Sequence, residues 1–77
     1  MNAKLIGEII RYHREIAGLS QVQLAKLAEI GKTSVFDTEK GKESVQLNTL
    51  LSIMNVLNIS MELKSPLMSE FYKNENS

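Results

Sequence analysis

Gly31, Lys32 and Thr33 together could hold a phosphate: a glycine lets the backbone come close to an anion, and an ammonium and a hydroxyl stand beside it. A phosphate-binding loop also needs a glycine five residues earlier and a strand leading in. Position 26 is Lys26 and the lead-in has helical periodicity, so nucleotide chemistry does not fit. His13 is the single histidine and cysteine is absent, so the chain offers neither a Ser-His-Asp grouping nor a His/Cys metal cluster. We expect no catalysis, cofactor or metal. What remains is the surface of EIGKTSVFDTEKG, residues 29 to 41, in which Lys32, Thr33, Ser34, Asp37 and Lys40 crowd around one β-branched anchor, Val35. Donors and acceptors at that density suit a polar, charged partner.

Charge distribution is consistent with such a partner. Nine Lys and Arg balance nine Asp and Glu, which argues against a basic-tail polyanion binder. Residues 1 to 42 hold seven bases against five acids, a surplus of two; the remainder holds two against four. The N-terminal part is therefore the more attractive to phosphate. Seventy-seven residues make one domain of a size at which a single core is marginal, so a second copy is expected to supply burial. No apolar run reaches membrane-spanning length and the N-terminus lacks a signal-peptide pattern, so the expected place is the cytosol.

Periodicity places these side chains on helices. Ile6, Ile9, Ile10, His13 and Ala17 predict a helix over 4–17 that stops at Gly18, with His13 as a core imidazole. Ser20 predicts an N-cap for a second helix over 21–28, with Leu19 stapled to Leu24 and with Leu24, Ala25 and Ala28 inward. A tight turn at Ile30 and Gly31 leads to a third helix, 32–39, ended by Gly41. VQLNTLLSIMNVLN predicts a fourth, apolar over so much of its circumference that it is expected to lie centrally.

Beyond it the period changes. In ISMELK, Ile59, Met61 and Leu63 alternate with Ser60, Glu62 and Lys64, which predicts a half-buried strand over 59–64. With no second strand in the chain, the expected completion is the same segment of a second copy, antiparallel about a twofold axis. An irregular tail laid on the core is the other reading. Ser65 and Pro66 then predict a short helix with Leu67, Met68, Phe71 and Tyr72 on one face, fraying after Lys73. The expected architecture is all-α: a bundle of four to five helices over 1–58, a dimerising strand over 59–64, and a helical tail over 65–77.

GLSQVQLAKLAEIGKTSVFDTEKGK resembles the helix-turn-helix core of the XRE/Cro-type, lambda-repressor-like family in its Leu-Ser-Gln opening, its Leu-Ala pair and its closing Glu-x-Gly-Lys. With the flanking helices and the strand, the resemblance covers about residues 4 to 64 and is closest to HipB-like antitoxins, which repress their own operons beside HipA-type kinases. Two positions depart from the family pattern. Glu29 stands at the turn's usual glycine, and Thr38 replaces an apolar residue.

The resemblance implies that the third helix enters a DNA major groove, which explains its polar face. Lys32, Thr33, Ser34, Phe36 and Asp37 are then the expected base contacts: Lys32 to guanine, Asp37 to cytosine N4, and the Thr33 methyl or Phe36 ring to a thymine methyl. Asp37 has the alternative of pairing with a nearby lysine, and Phe36 that of a protein interface. Gln21 resembles the family's phosphate clamp, Lys40 and Lys42 add phosphate contacts, and Arg14 and Glu39 resemble its internal salt bridge. The implied protein is a homodimeric repressor in the bacterial cytoplasm, associated with the nucleoid, on a palindromic operator and without a membrane role. Its implied partner is a HipA-type Ser/Thr kinase toxin or companion subunit. The rivals are a Cro-like repressor unrelated to a toxin and a protein-binding adaptor that does not bind DNA.

Overall fold

The computed structural model describes residues 1–75 as five helices in the order α1 (Ala3–Ile16), α2 (Gln21–Ala28), α3 (Lys32–Lys40), α4 (Leu47–Val56) and α5 (Met68–Glu75). Each of the first four ends by the same device, in which a left-handed or turning residue lets the next amide reach back five residues. Leu19 N–H donates to Arg14 O, Ile30 to Ala25 O, Lys42 to Asp37 O and Ile59 to Met54 O, at 2.9 to 3.1 Å. Gly18 and Gly41 supply two of those turns; Glu29 (φ 59°) and Asn58 (φ 58°) supply the others without being glycine.

Glu29 is therefore a small reservoir of strain. An L side chain in this conformation costs about 1–2 kcal/mol, and glycine gives back about 0.5–1 kcal/mol as unfolded-chain entropy. Glu29→Gly is expected to raise stability by about 0.5–1 kcal/mol, read as a thermal midpoint higher by roughly 4 °C. An unchanged or lower midpoint would show that the turn is relaxed as it stands.

At the start of α2, Ser20 Oγ accepts from Gln23 N–H while Gln23 Oε1 accepts from Ser20 N–H, a reciprocal cap of which the sequence reading identified only the serine. The core gathers Ile10, Leu24, Ala25, Ala28, Val35 and Ile53, with Ile6, Ile30, Leu50, Val56, Leu57 and Ile59 packed around it. Thr38 is buried without penalty, because its hydroxyl donates to Ser34 O at 2.7 Å within the same helix. α1 crosses α3 with backbones close together, and Gly7 and Gly41 lie in that crossing.

Four expectations need correction. His13 is exposed rather than in the core: its Nδ1 lies 2.7 Å from Ile9 O, and the inward row is taken by Gly7, Ile10 and Arg14. α4 is not covered all round, because Leu47 and Leu51 are exposed while Ile53 and Met54 are buried. The third concerns 59–64, expected as a strand. It has no regular secondary structure, and no strand occurs among the described residues. A strand needs a ladder partner, and the described residues contain none. Ile59 is half-buried against the core, while Met61 and Leu63 are exposed. The tail helix also begins two residues later than Pro66, after a turn in which Ser65 Oγ accepts from Leu67 N–H at 3.2 Å.

Candidate nucleic-acid interface

α3 is a helix with little to hold it in place from within. Val35 and Thr38 are its buried residues, and Ser34, Asp37 and Glu39 are half-buried. Lys32, Thr33, Phe36 and Lys40 are exposed, and Lys32, Thr33 and Phe36 share the outer face with the half-buried Ser34 and Asp37. Gly31, the N-cap, offers no side-chain cap, and its carbonyl accepts from Ser34 N–H at 3.0 Å.

A charged network fixes this helix against the scaffold. Arg14 of α1 grips Glu39 of α3 with two parallel hydrogen bonds, Nε to Oε2 at 2.6 Å and Nη2 to Oε1 at 3.0 Å. Its Nη1 donates to Leu19 O at 2.9 Å, just before α2. Gln21 Nε2 donates to Glu39 Oε1 at 3.2 Å, so one carboxylate ties three helices together. The side chains of Arg14 and Glu39 are 12% and 5% exposed. The hydrogen bond to Glu39, opposed by partial burial and reinforced by the carboxylate's charge, holds the Arg14 guanidinium above its ordinary pKa.

On the outer face, Lys40 Nζ lies 5.3 Å from the centre of the Phe36 ring, a cation–π pair that steers the ammonium along the helix. Arg11, Gln21, Phe36 and Lys40 surround a cleft of about 300 Å³ floored by the Arg14–Glu39 pair. Lys42 Nζ lies 3.5 Å from Asp37 Oδ2. Lys32, Thr33, Ser34, Phe36 and Asp37 thus fall on one helix, with Gln21 and Lys40 on one flank and Lys42 on the other.

The sequence reading missed the surroundings of Lys42. Ser44, Gln46 and Thr49 join Ser34, Asp37 and Lys42 around a polar cleft of about 330 Å³, where α4 starts at Gln46 without a side-chain cap. That missing cap, together with Ser44 and Gln46 in the connection after Gly41, was the available signal. Among the described residues no group of three or more His, Cys, Asp or Glu side chains could hold a metal, and no helix is long and apolar enough to cross a membrane.

A short helix anchored behind by an internal ion pair, with an open polar face and a second helix set across it by a three-residue turn, is the helix-turn-helix arrangement. The sequence profile of the helix-turn-helix family matches residues 10–64, and the chain belongs to that family. It is similar to the HTH-type transcriptional regulator y4mF of Sinorhizobium fredii, 31% identical over 61 residues that span 79% of this chain and 80% of that protein. It is also similar to the control protein C.SmaI of Serratia marcescens, 33% identical over 58 residues that span 75% of this chain and 69% of that one.

Proposed function

We propose that the protein is a sequence-specific DNA-binding transcriptional repressor that acts as a homodimer on a palindromic operator. The observation that carries this reading is the outer face of α3, where Lys32, Thr33 and Phe36 lie open while Arg14 and Glu39 hold the helix from behind. Lys32, Thr33, Ser34, Phe36 and Asp37 read base edges. Gln21, Lys40 and Lys42 bind phosphate, and Gln21 is oriented for it by Glu39. In the dimer, Ile59, Met61 and Leu63 pair with their counterparts as a two-stranded ribbon, giving the exposed Met61 and Leu63 a partner.

The resemblance of residues 4 to 64 to HipB-like antitoxins supports a finer reading: an antitoxin that represses its own operon beside a HipA-type Ser/Thr kinase or companion subunit. The similarity to a control protein favours a second, a regulator with no toxin attached. Co-purification from the native host distinguishes them, because the first requires a kinase in the complex.

The test of DNA reading is substitution on α3. Lys32→Ala is expected to cost about 1–3 kcal/mol per half-site and to relax preference at one base pair. Lys40→Ala and Lys42→Ala should weaken binding about equally to all sequences and lower the salt slope by about 0.9 for each phosphate no longer neutralised. Gel-shift titration over a salt series measures both. Unchanged affinity and base preference for Lys32→Ala would remove α3 from the groove.

A further inference from the structure

The main helix packings leave α5 aside, and an apolar groove stays open on the helical body among the described residues. The groove, about 580 Å³, lies between α1, the end of α4 and the segment after it, and is walled by Met1, Ile6, Ile9, Met54, Ile59 and Met61. α5 has no buried residue and takes no part in the main helix packings, yet the face formed with the residue before it carries Leu67, Phe71 and Tyr72, which are exposed.

The surface area shows how much cover is missing. A folded monomer of this mass, 8.7 kDa, has an accessible surface of about 4,700 Å², whereas the chain exposes 6013 Å². The excess, about 1,300 Å², is more than the roughly 800 Å² per partner that a stable dimer buries. The radius of gyration says the same: 14.5 Å against about 11.5 Å for 77 compact residues. The molecule is drawn out to 43 × 22 × 22 Å.

We propose that α5 of each copy seats in this groove of the other, so that the two chains exchange their terminal helices. The proposal rests on the dimeric-regulator reading above and deepens it by naming the surface and its occupant. Two features favour exchange over α5 folding back on its own chain. Residues 60–64 form one wall of the groove, and α5 starts after a link of three residues, Ser65 to Leu67. That link is a hydrogen-bonded turn, in which Pro66 is restricted, Ser65 Oγ accepts from Leu67 N–H and Ser65 O accepts from Met68 N–H at 3.2 Å, and as it stands it leaves α5 off the groove of its own chain. Reversal within one chain breaks those bonds, whereas exchange keeps them. The ribbon supplies the direction. If 59–64 pairs antiparallel with itself, Lys64 of one copy stands opposite Ile59 of the other, so α5 begins at its partner's groove.

The test combines sedimentation with mixed-isotope NMR. Phe71→Asp is expected to raise the dimer dissociation constant at least about a hundredfold, because a charge replaces the ring at two symmetric apolar seats. In a dimer of one 13C-labelled and one unlabelled copy, isotope-filtered spectra should show the Phe71 and Tyr72 rings of one chain against the Ile6 and Ile9 methyls of the other. An unchanged dissociation constant, or ring-to-methyl contacts confined to one chain, overturns the exchange. A wild-type monomer that binds operator DNA overturns it too, leaving DNA reading intact. A dimer with the inter-chain contacts but no DNA binding keeps the exchange and overturns the repressor reading.

Discussion

Glu39→Ala is expected to lower the unfolding free energy by about 3 kcal/mol, a large share of what a domain of this size has to lose. The carboxylate is almost wholly out of water and accepts from Arg14 twice and from Gln21 once. Its removal leaves the guanidinium largely desolvated with one remaining acceptor, Leu19 O. The loss comes chiefly from that stranded charge, so replacing both partners with apolar residues, Arg14→Met with Glu39→Leu, should recover most of it. Urea unfolding with an unchanged m-value measures both variants. A loss below about 0.5 kcal/mol for Glu39→Ala would class the pair with ordinary surface bridges. The pH sign is definite: a guanidinium whose pKa is raised on folding contributes stability that is fully present below its unfolded value and is lost as pH rises through the folded one. The Arg14 contribution is therefore constant through the neutral range and disappears only in strong alkali.

Gly7→Ala is the second large effect. A Cβ at this position overlaps the carbonyl oxygen of Thr38 and lies 2.8 Å from that of Glu39, and both are backbone atoms that cannot rotate away. Alanine gains about 1 kcal/mol in helix propensity over glycine, but overpacking costs about 1–3 kcal/mol or more, and this contact is at the severe end. We expect a net loss of about 2 kcal/mol, seen as a thermal midpoint lower by roughly 10 °C. Because the displaced carbonyls belong to α3, operator affinity should fall as well, which a simple core cavity far from α3 would not cause. A midpoint unchanged or raised would mean that the two helices separate at no cost.

The first three helices were legible because they carry their own punctuation, and α4 because of its apolar run. Ser20, Gly18 and Gly41 mark ends by local chemistry, and Leu24, Ala25, Ala28 and Val35 sit at spacings that leave one inward face. The open polar face of α3 was legible for the opposite reason, since this helix has few apolar residues to bury. Legibility failed where the answer depends on a neighbour. His13 and Arg14 compete for the inward row, and Glu39, twenty-five residues away, decides it for the arginine. Gly7 has no side chain to register in a periodicity, yet it sets how near α1 comes to α3. The alternation of Ile59, Met61 and Leu63 describes a surface ready for a ladder, and a ladder belongs to two strands. Ser44 and Gln46 were missed because polar residues between helices read as connection, and Thr49 because its helix reads as core, until their place beside Asp37 and Lys42 is seen.

The tie between Arg14 and Glu39 also determines what salt can do to this protein. Mobile ions screen exposed charges over about 8 Å at physiological strength, but they reach a desolvated pair poorly. The bridges open to them are peripheral: Arg11 with Glu15 within α1, and Lys42 with Asp37 beside α3. Raising the salt therefore strips counterion-dependent contacts from the DNA while the reading helix stays mounted as before. Dissociation along a salt series becomes a count of phosphates released by an intact reader, with no unfolding folded into the curve.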